Sequence, residues 1–92
     1  MALETKPFDV AEMLETEEDI RIFLQVAAEE GTSQEFIHAL NTAARAVGMT
    51  EVAKRAGVTR ASLYKSLADG GQPKFSTISK VTEALGCKLK VA

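Results

Sequence analysis

The sequence has few of the residues on which catalytic, metal-binding and disulfide-bonded proteins depend. Among its 92 residues, Cys87 is the only cysteine, His38 is the only histidine, and tryptophan is absent. One cysteine excludes an internal disulfide and any cysteine-based zinc site, and it is typical of a protein from a reducing compartment. A single histidine with no cysteine near it in sequence favours a surface position over a catalytic one. We therefore predict no enzymatic activity, no metal and no cofactor.

Long apolar runs are also missing. No stretch approaches the roughly 18 residues that a membrane helix needs, and the first ten residues, MALETKPFDV, have neither the basic start nor the apolar centre of a signal peptide. Aromatic residues make up 5% of the chain, so the core must be built mainly from aliphatic side chains, which suits packed helices. We expect a cytoplasmic helical protein.

The formal net charge of -2 conceals a division of charge along the chain. Residues 1–48 carry three basic and ten acidic side chains, whereas residues 49–92 carry eight basic and three acidic ones. Such an asymmetry is typical of a basic nucleic-acid surface joined to an acidic region with another role. Two differently solvated faces would give the same counts, so charge alone leaves both interpretations open.

We predict three helices in the acidic segment 8–48, because apolar residues recur there at spacings of three and four. The first helix is short and covers residues 8–14. Capping residues and glycines set the bounds of two longer helices. Thr16 is predicted to cap the start of one helix, and Gly31 to end it. Thr32 or Ser33 is predicted to cap the start of the other, and Gly48 to end it.

The segment 49–67 has the pattern of a helix-turn-helix, in which two short helices are joined by a tight turn. Ala53 is small enough for the two helices to approach closely, and Gly57 can adopt the left-handed conformation that the turn requires. Thr59 is predicted to cap the second helix, which runs to about Ala68. The apolar residues that would hold the pair together are Val52, Val58 and Leu63.

The last segment, 76–92, is predicted to contain a helix and a short strand. Ser76 would cap the helix and Gly86 would end it. Residues 87–91 alternate apolar and basic side chains, which is typical of a half-buried strand. A lone strand needs a partner, so this tail predicts a homodimer in which two copies pair; a frayed terminus is the alternative. No repeat or long linker divides residues 1–92, so we predict a single domain.

The second helix of a helix-turn-helix enters the major groove of DNA, with its first residues nearest the base edges. Arg60 could donate two hydrogen bonds to a guanine, Lys65 lies about one turn further on, and Ala61 could contact a thymine methyl group. The groups suited to phosphates are Thr59, Ser62, Lys54, Arg55 and Lys74, and Tyr64 is a candidate for contact with the DNA backbone.

Most of these residues also have explanations that do not involve DNA. Thr59 and Ser62 could serve only as helix caps, and Tyr64 could pack against the domain. Ordinary solvated surface is the alternative for Lys54, Arg55 and Lys74. Arg60 is harder to explain in this way, because a positive charge at a helix N-terminus opposes the helix dipole.

The run TEVAKRAGVTRASLYKSLADGGQPKFSTISKVTEALG, residues 50–86, resembles the addiction-module antidote proteins, a branch of the lambda-repressor-like helix-turn-helix proteins related to HigA-type antitoxins. The residues that match the family pattern are Ala53, Gly57, Arg60, Leu63, Tyr64, Gly71, Pro73, Phe75, Leu85 and Gly86. FDVAEML and ARAVGM are also similar to the family, so the resemblance covers nearly the whole chain. One departure from the wider repressor pattern is Ser66, which stands at a usually apolar position and is followed by Leu67.

The resemblance implies an all-α, five- to six-helix lambda-repressor-like domain, to which we add the predicted C-terminal strand. It also implies a bacterial, nucleoid-associated antitoxin that neutralises a toxin, typically of the RelE-like class, and represses their shared promoter. Two alternatives are a stand-alone prophage-type regulator and a helical protein-interaction adaptor that does not bind DNA.

Overall fold

The computed structural model describes residues 9–88, which fold into five α-helices preceded by one short 3-10 helix. Their bounds are Val10–Met13 for the 3-10 helix, Glu17–Glu30 for α1, Ser33–Val47 for α2, Met49–Ala56 for α3, Arg60–Ser66 for α4 and Phe75–Ala84 for α5. The predicted helical class is confirmed for these residues. None of the helices in this range is long and apolar enough to span a membrane.

The two long helices begin at capping boxes. The Thr16 side chain accepts a hydrogen bond from the Asp19 N–H at 3.1 Å, and the Asp19 carboxylate accepts one from the Thr16 N–H at 3.2 Å. Thr32 and Glu35 repeat the same exchange at the start of α2. Each box provides partners for backbone N–H groups near a helix start that have none within the helix. The carboxylates at residues 17–19 are thus explained by the start of α1.

The core lies around α2, which contacts the 3-10 helix, α1, α3 and α5. Small residues on α2, Ala43 and Ala44, are completely buried and allow the neighbouring helices to pack closely. The largest fully buried side chains are Leu40, Leu63, Leu67, Val52 and Val81. Four of these five belong to the basic half of the chain, so this half forms much of the core.

A tight turn joins α3 to α4 at Gly57, as the sequence predicts. Gly57 has a φ of 72°, in the left-handed region that residues with a Cβ atom resist. The Val58 N–H donates to the Ala53 carbonyl at 3.0 Å, and the Gly57 N–H donates to the Lys54 carbonyl at 3.3 Å. These two bonds form the glycine-dependent helix ending known as a Schellman motif. The chain therefore leaves α3 in a fixed direction and enters α4 three residues later.

The predicted C-terminal strand is wrong for the part of the tail that the structure describes. The Cys87 N–H donates to the Thr82 carbonyl at 3.0 Å, and the Gly86 N–H donates to the Glu83 carbonyl at 2.9 Å. This helix ending ties Cys87 to α5 instead of leaving it extended, and Lys88 has no regular structure. The remainder of the predicted strand lies outside the described residues. The described part of the tail, Cys87 and Lys88, therefore gives no support for a dimer formed by strand pairing.

Two predicted helix ends also need correction. Ser76 is not the cap of the last helix, because α5 begins at Phe75 with Lys74 at the N-cap position and no capping side chain. The helix predicted to reach about Ala68 ends at Ser66.

Candidate nucleic-acid interface

Helix α4 is anchored by one face and leaves the rest of its surface exposed. Leu63 is completely buried, and Leu67, which follows the helix, is 1% exposed. Ser66 is only half-buried, so Leu67 supplies the apolar contact at this end of the helix. The predicted contact residues on α4 are all exposed: Arg60, Ala61, Ser62, Tyr64 and Lys65.

Thr59 is the N-cap of α4. Its hydroxyl oxygen accepts a hydrogen bond from the Ser62 N–H at 3.1 Å, so the predicted capping of the second helix by Thr59 is confirmed. A hydroxyl group has one proton and two lone pairs, and this bond uses one lone pair. The Thr59 proton remains available for an acceptor outside the helix, such as a phosphate oxygen.

Arg60 lies against Tyr64, one turn further along α4. Its Nη2 donates a hydrogen bond to the Tyr64 hydroxyl oxygen at 3.2 Å, and its Cζ lies 5.3 Å from the centre of the ring. This distance is within the range of a cation–π interaction. Tyr64 is 42% exposed, so it is not part of the core. The tyrosine therefore holds the guanidinium at the surface of the helix.

Three lysines surround or extend this surface. Lys54 lies on α3, Lys65 on α4 and Lys74 at the start of α5, and all three are exposed. None of the three forms an ion pair with another residue in the range 9–88. Their charges are thus not neutralised by carboxylates of the described chain.

Arg55 differs from these lysines. Its Nε donates to a Glu51 carboxylate oxygen at 3.0 Å, and its Nη1 donates to the Ala84 carbonyl at 3.4 Å. The guanidinium thus links α3 to the last residue of α5, where a positive charge complements the helix dipole. This arrangement gives Arg55 a structural role that the sequence did not reveal.

A second contact that sequence reasoning missed fixes the end of α4. The Asn41 side-chain amide on α2 donates to the Leu67 carbonyl at 3.2 Å, while its oxygen accepts a hydrogen bond from Arg45 Nε at 3.0 Å. Arg45 also pairs with Asp9 at 2.8 Å, which holds the pKa of that carboxyl below its usual value. No local pattern marks Asn41, because its partner lies 26 residues away in sequence.

His38 and Cys87, the two residues with potential catalytic chemistry, do not belong to α4. The His38 imidazole is exposed, and its Nδ1 lies 3.5 Å from an Asp69 carboxylate oxygen. Cys87 packs against the core, and burial raises the pKa of its thiol. A thiol with a raised pKa is less reactive, since the thiolate is the nucleophile.

A family model described as "Probable addiction module antidote protein" matches residues 4–92 of the chain. The chain belongs to this antidote family. A protein of Haemophilus influenzae strain Rd, described as uncharacterized, is 40% identical over 91 residues, which are 99% of this chain and 94% of that protein. No solved structure matches the chain significantly.

Membership of the antidote family implies a toxin as a partner, because an antidote in an addiction module counteracts a toxin. The antidote family match covers both the acidic helices and the basic segment, so both are parts of the same family pattern. The α4 surface is one candidate binding region of this antidote protein, and its chemistry is suited to an anion.

Proposed function

We propose that the chain is an antitoxin that binds operator DNA through a helix-turn-helix formed by α3 and α4, and so represses the promoter of its own module. The observation that carries this proposal is Arg60, exposed at the start of α4 and held there by Tyr64. A cation at a helix N-terminus is unfavourable in the isolated protein, and an external anion or base would offset that cost.

In the proposed complex, α4 lies in the major groove with its N-terminal half against the bases. Arg60 contacts a guanine, Lys65 makes a second base contact, and Ala61 approaches a thymine methyl group. The proposed phosphate contacts come from hydroxyl groups, backbone N–H groups at the helix start and lysines at the rim. The side chains concerned are Thr59, Ser62, Lys54 and Lys74, with Tyr64 beside the backbone.

We further propose that two copies bind a symmetric operator, as is usual for helix-turn-helix repressors of the lambda type. The sequence resemblance also supports a RelE-like toxin as the protein neutralised. With Arg55 engaged by Glu51 and Ala84, we assign it the weakest part in DNA binding.

Gel-shift and anisotropy titrations on the promoter upstream of the chain's own gene would test the proposal. We expect tighter binding to this promoter than to random DNA of the same length, with affinity falling as salt rises. Absence of binding at low salt would exclude the DNA-binding function and favour an interaction adaptor. Equal affinity for both DNAs would exclude sequence-specific repression.

A further inference from the structure

Helices α1 and α2 have an open groove of about 630 Å³ along their surface. Its apolar lining comes from Phe23, Val26 and Ala27 on α1 and from Ala39 on α2. Val26 is 47% exposed, and Phe23 is only half-buried. Covering these side chains would remove apolar surface from water, which favours association with a partner.

The polar lining of the groove is acidic. Carboxylates of Glu30, Glu35 and Asp69 stand along it, and none of the described lining residues is a lysine or arginine. The lining also includes His38, whose imidazole lies 3.5 Å from the Asp69 carboxylate. Hydrogen bonds from Thr32 keep the pKa of Glu35 below its ordinary value, so this group stays negative at neutral pH. The groove therefore combines an apolar floor with a negative edge.

We propose that this groove is the docking site of the toxin, and that the toxin inserts an apolar side chain flanked by lysine or arginine residues. This inference rests on the proposed antidote function and adds the surface that carries it. Charge complementarity is the argument for this occupant, because basic groups would meet the carboxylates while an apolar group covers Val26.

A second copy of the chain is a poorer occupant. A two-fold interface brings the same patch of both copies together. Each groove would then place its carboxylates against those of the other copy, with no described lysine or arginine in the lining to offset them and with His38 already beside Asp69. The same acidic edge also disfavours DNA.

The groove shares no residue with the proposed DNA surface. Its lining comes from α1, α2, Gly31 between them, and residues 69 and 70. The proposed DNA contacts lie on α3 and α4, at the N-cap Thr59 and at Lys74. Variants of the groove should therefore impair toxin binding and leave operator binding intact, which separates the two functions experimentally.

The test uses two groove variants, Val26→Ser and Glu30→Lys, each with a matched control on α1. Ile22→Ser is the control for the first, because Ile22 is 53% exposed and outside the groove lining. Glu29→Lys is the control for the second, because it makes the same charge change one residue away, also outside the lining. Valine, isoleucine and serine have similar helix propensities, and a lysine in the last turn suits the helix dipole, so all four variants should fold.

The probe is the purified protein encoded by the gene beside that of the chain, titrated by calorimetry, with operator binding measured in parallel. We expect each groove variant to weaken toxin binding by about tenfold or more and each control by less than about twofold, with operator affinity unchanged. Equal effects of groove and control variants would overturn the groove assignment. The groove assignment would also be overturned if the wild type were a dimer and Val26→Ser a monomer, because the groove would then be the interface between two copies of the chain. If the wild-type chain does not bind the probe, the antidote function fails together with the groove.

Discussion

The contact with Tyr64 determines where the Arg60 guanidinium lies on the surface of α4. A stack of arginine on an exposed aromatic ring contributes about 0.5 to 1 kcal/mol, which partly offsets the unfavourable position of the charge at the start of α4. The same contact reduces the number of conformations available to a long side chain. In the proposed DNA complex, less conformational entropy would then be lost when the guanidinium binds a base.

Arg60→Ala should weaken operator binding by about 1 to 3 kcal/mol and should relax the preference at one base pair, because the proposed bidentate contact to guanine would be lost. Competition titrations with operators substituted at each position would measure this. Tyr64→Phe keeps the ring but removes the hydroxyl acceptor, so we expect a smaller loss at the same base pair. If Arg60→Ala weakened operator and random DNA equally, Arg60 would be a phosphate contact instead.

Gly57→Ala should destabilise the fold by about 1 to 2 kcal/mol. A Cβ atom at this position would meet nothing within 4 Å, so the cost comes from the backbone conformation alone. Urea unfolding measures the loss. Gly57→Asn is the matched control, because asparagine tolerates the left-handed region better and should be affected less. Similar stability of Gly57→Ala and the wild type would contradict the role of this turn.

Helix starts can be predicted from residues that are neighbours in sequence. Contacts between residues far apart in sequence cannot. Thr16 and Thr32 begin helices because the capping partner lies three residues away, within the range of a sequence pattern. The tail was mispredicted because its alternation of side chains resembles a strand, while the backbone of Cys87 binds to Thr82. In the candidate interface, the exposure of the α4 residues could be predicted, because Leu63 determines which face of the helix is buried. The hydrogen bond from Arg55 to the Ala84 carbonyl could not be predicted, because its acceptor lies on α5.

At the scale of helices, we expect the hydrogen bond from Asn41 on α2 to the Leu67 carbonyl at the end of α4 to fix the orientation of α4. Asn41→Asp removes the donor to the Leu67 carbonyl but keeps an acceptor for Arg45. We expect a loss of about 1 kcal/mol in the free energy of unfolding, measured in urea, and weaker operator binding. Asn41→Ala removes both contacts and should be at least as destabilising. An Asn41→Ala variant as stable as the wild type would contradict the stabilising role of these contacts.

The ion pair of Asp9 and Arg45 joins the start of the 3-10 helix to α2 and should make stability depend on pH. Arg45 lowers the pKa of Asp9 in the folded protein, so the carboxylate stabilises the fold above its unfolded pKa of about 3.9 and this contribution is lost as pH falls through the lower folded value. Wild type should therefore be more stable than Asp9→Asn at neutral pH, and the difference should shrink below about pH 4. Urea midpoints measured across this range would check the expectation, and a difference that persists at pH 2 would contradict it.

For the whole molecule, the division of charge matters more than the net value of -2. Interactions between exposed charges are screened beyond about 8 Å at physiological salt, so acidic groups that lie farther than this from α4 have little effect on a phosphate against it. One chain can then present a basic surface to DNA and an acidic groove to a basic protein. The two partners need not compete for the same charges.

Salt dependence tests this division of charge. Operator affinity should fall with increasing salt although the protein is acidic overall, because counterions are released from each phosphate that a lysine neutralises. Lys54→Ala should reduce the slope of log affinity against log salt by about 1 for each bound copy, and should weaken binding to operator and random DNA alike. Lys80→Ala makes the same charge change on α5, in an opening also lined by Glu17 and Glu83, and should leave the slope unchanged. Equal slopes for Lys54→Ala and the wild type would remove Lys54 from the interface. If Lys54→Ala and Lys80→Ala reduced the slope equally, the salt dependence would reflect the overall charge of the protein and not the basic residues of α3 and α4.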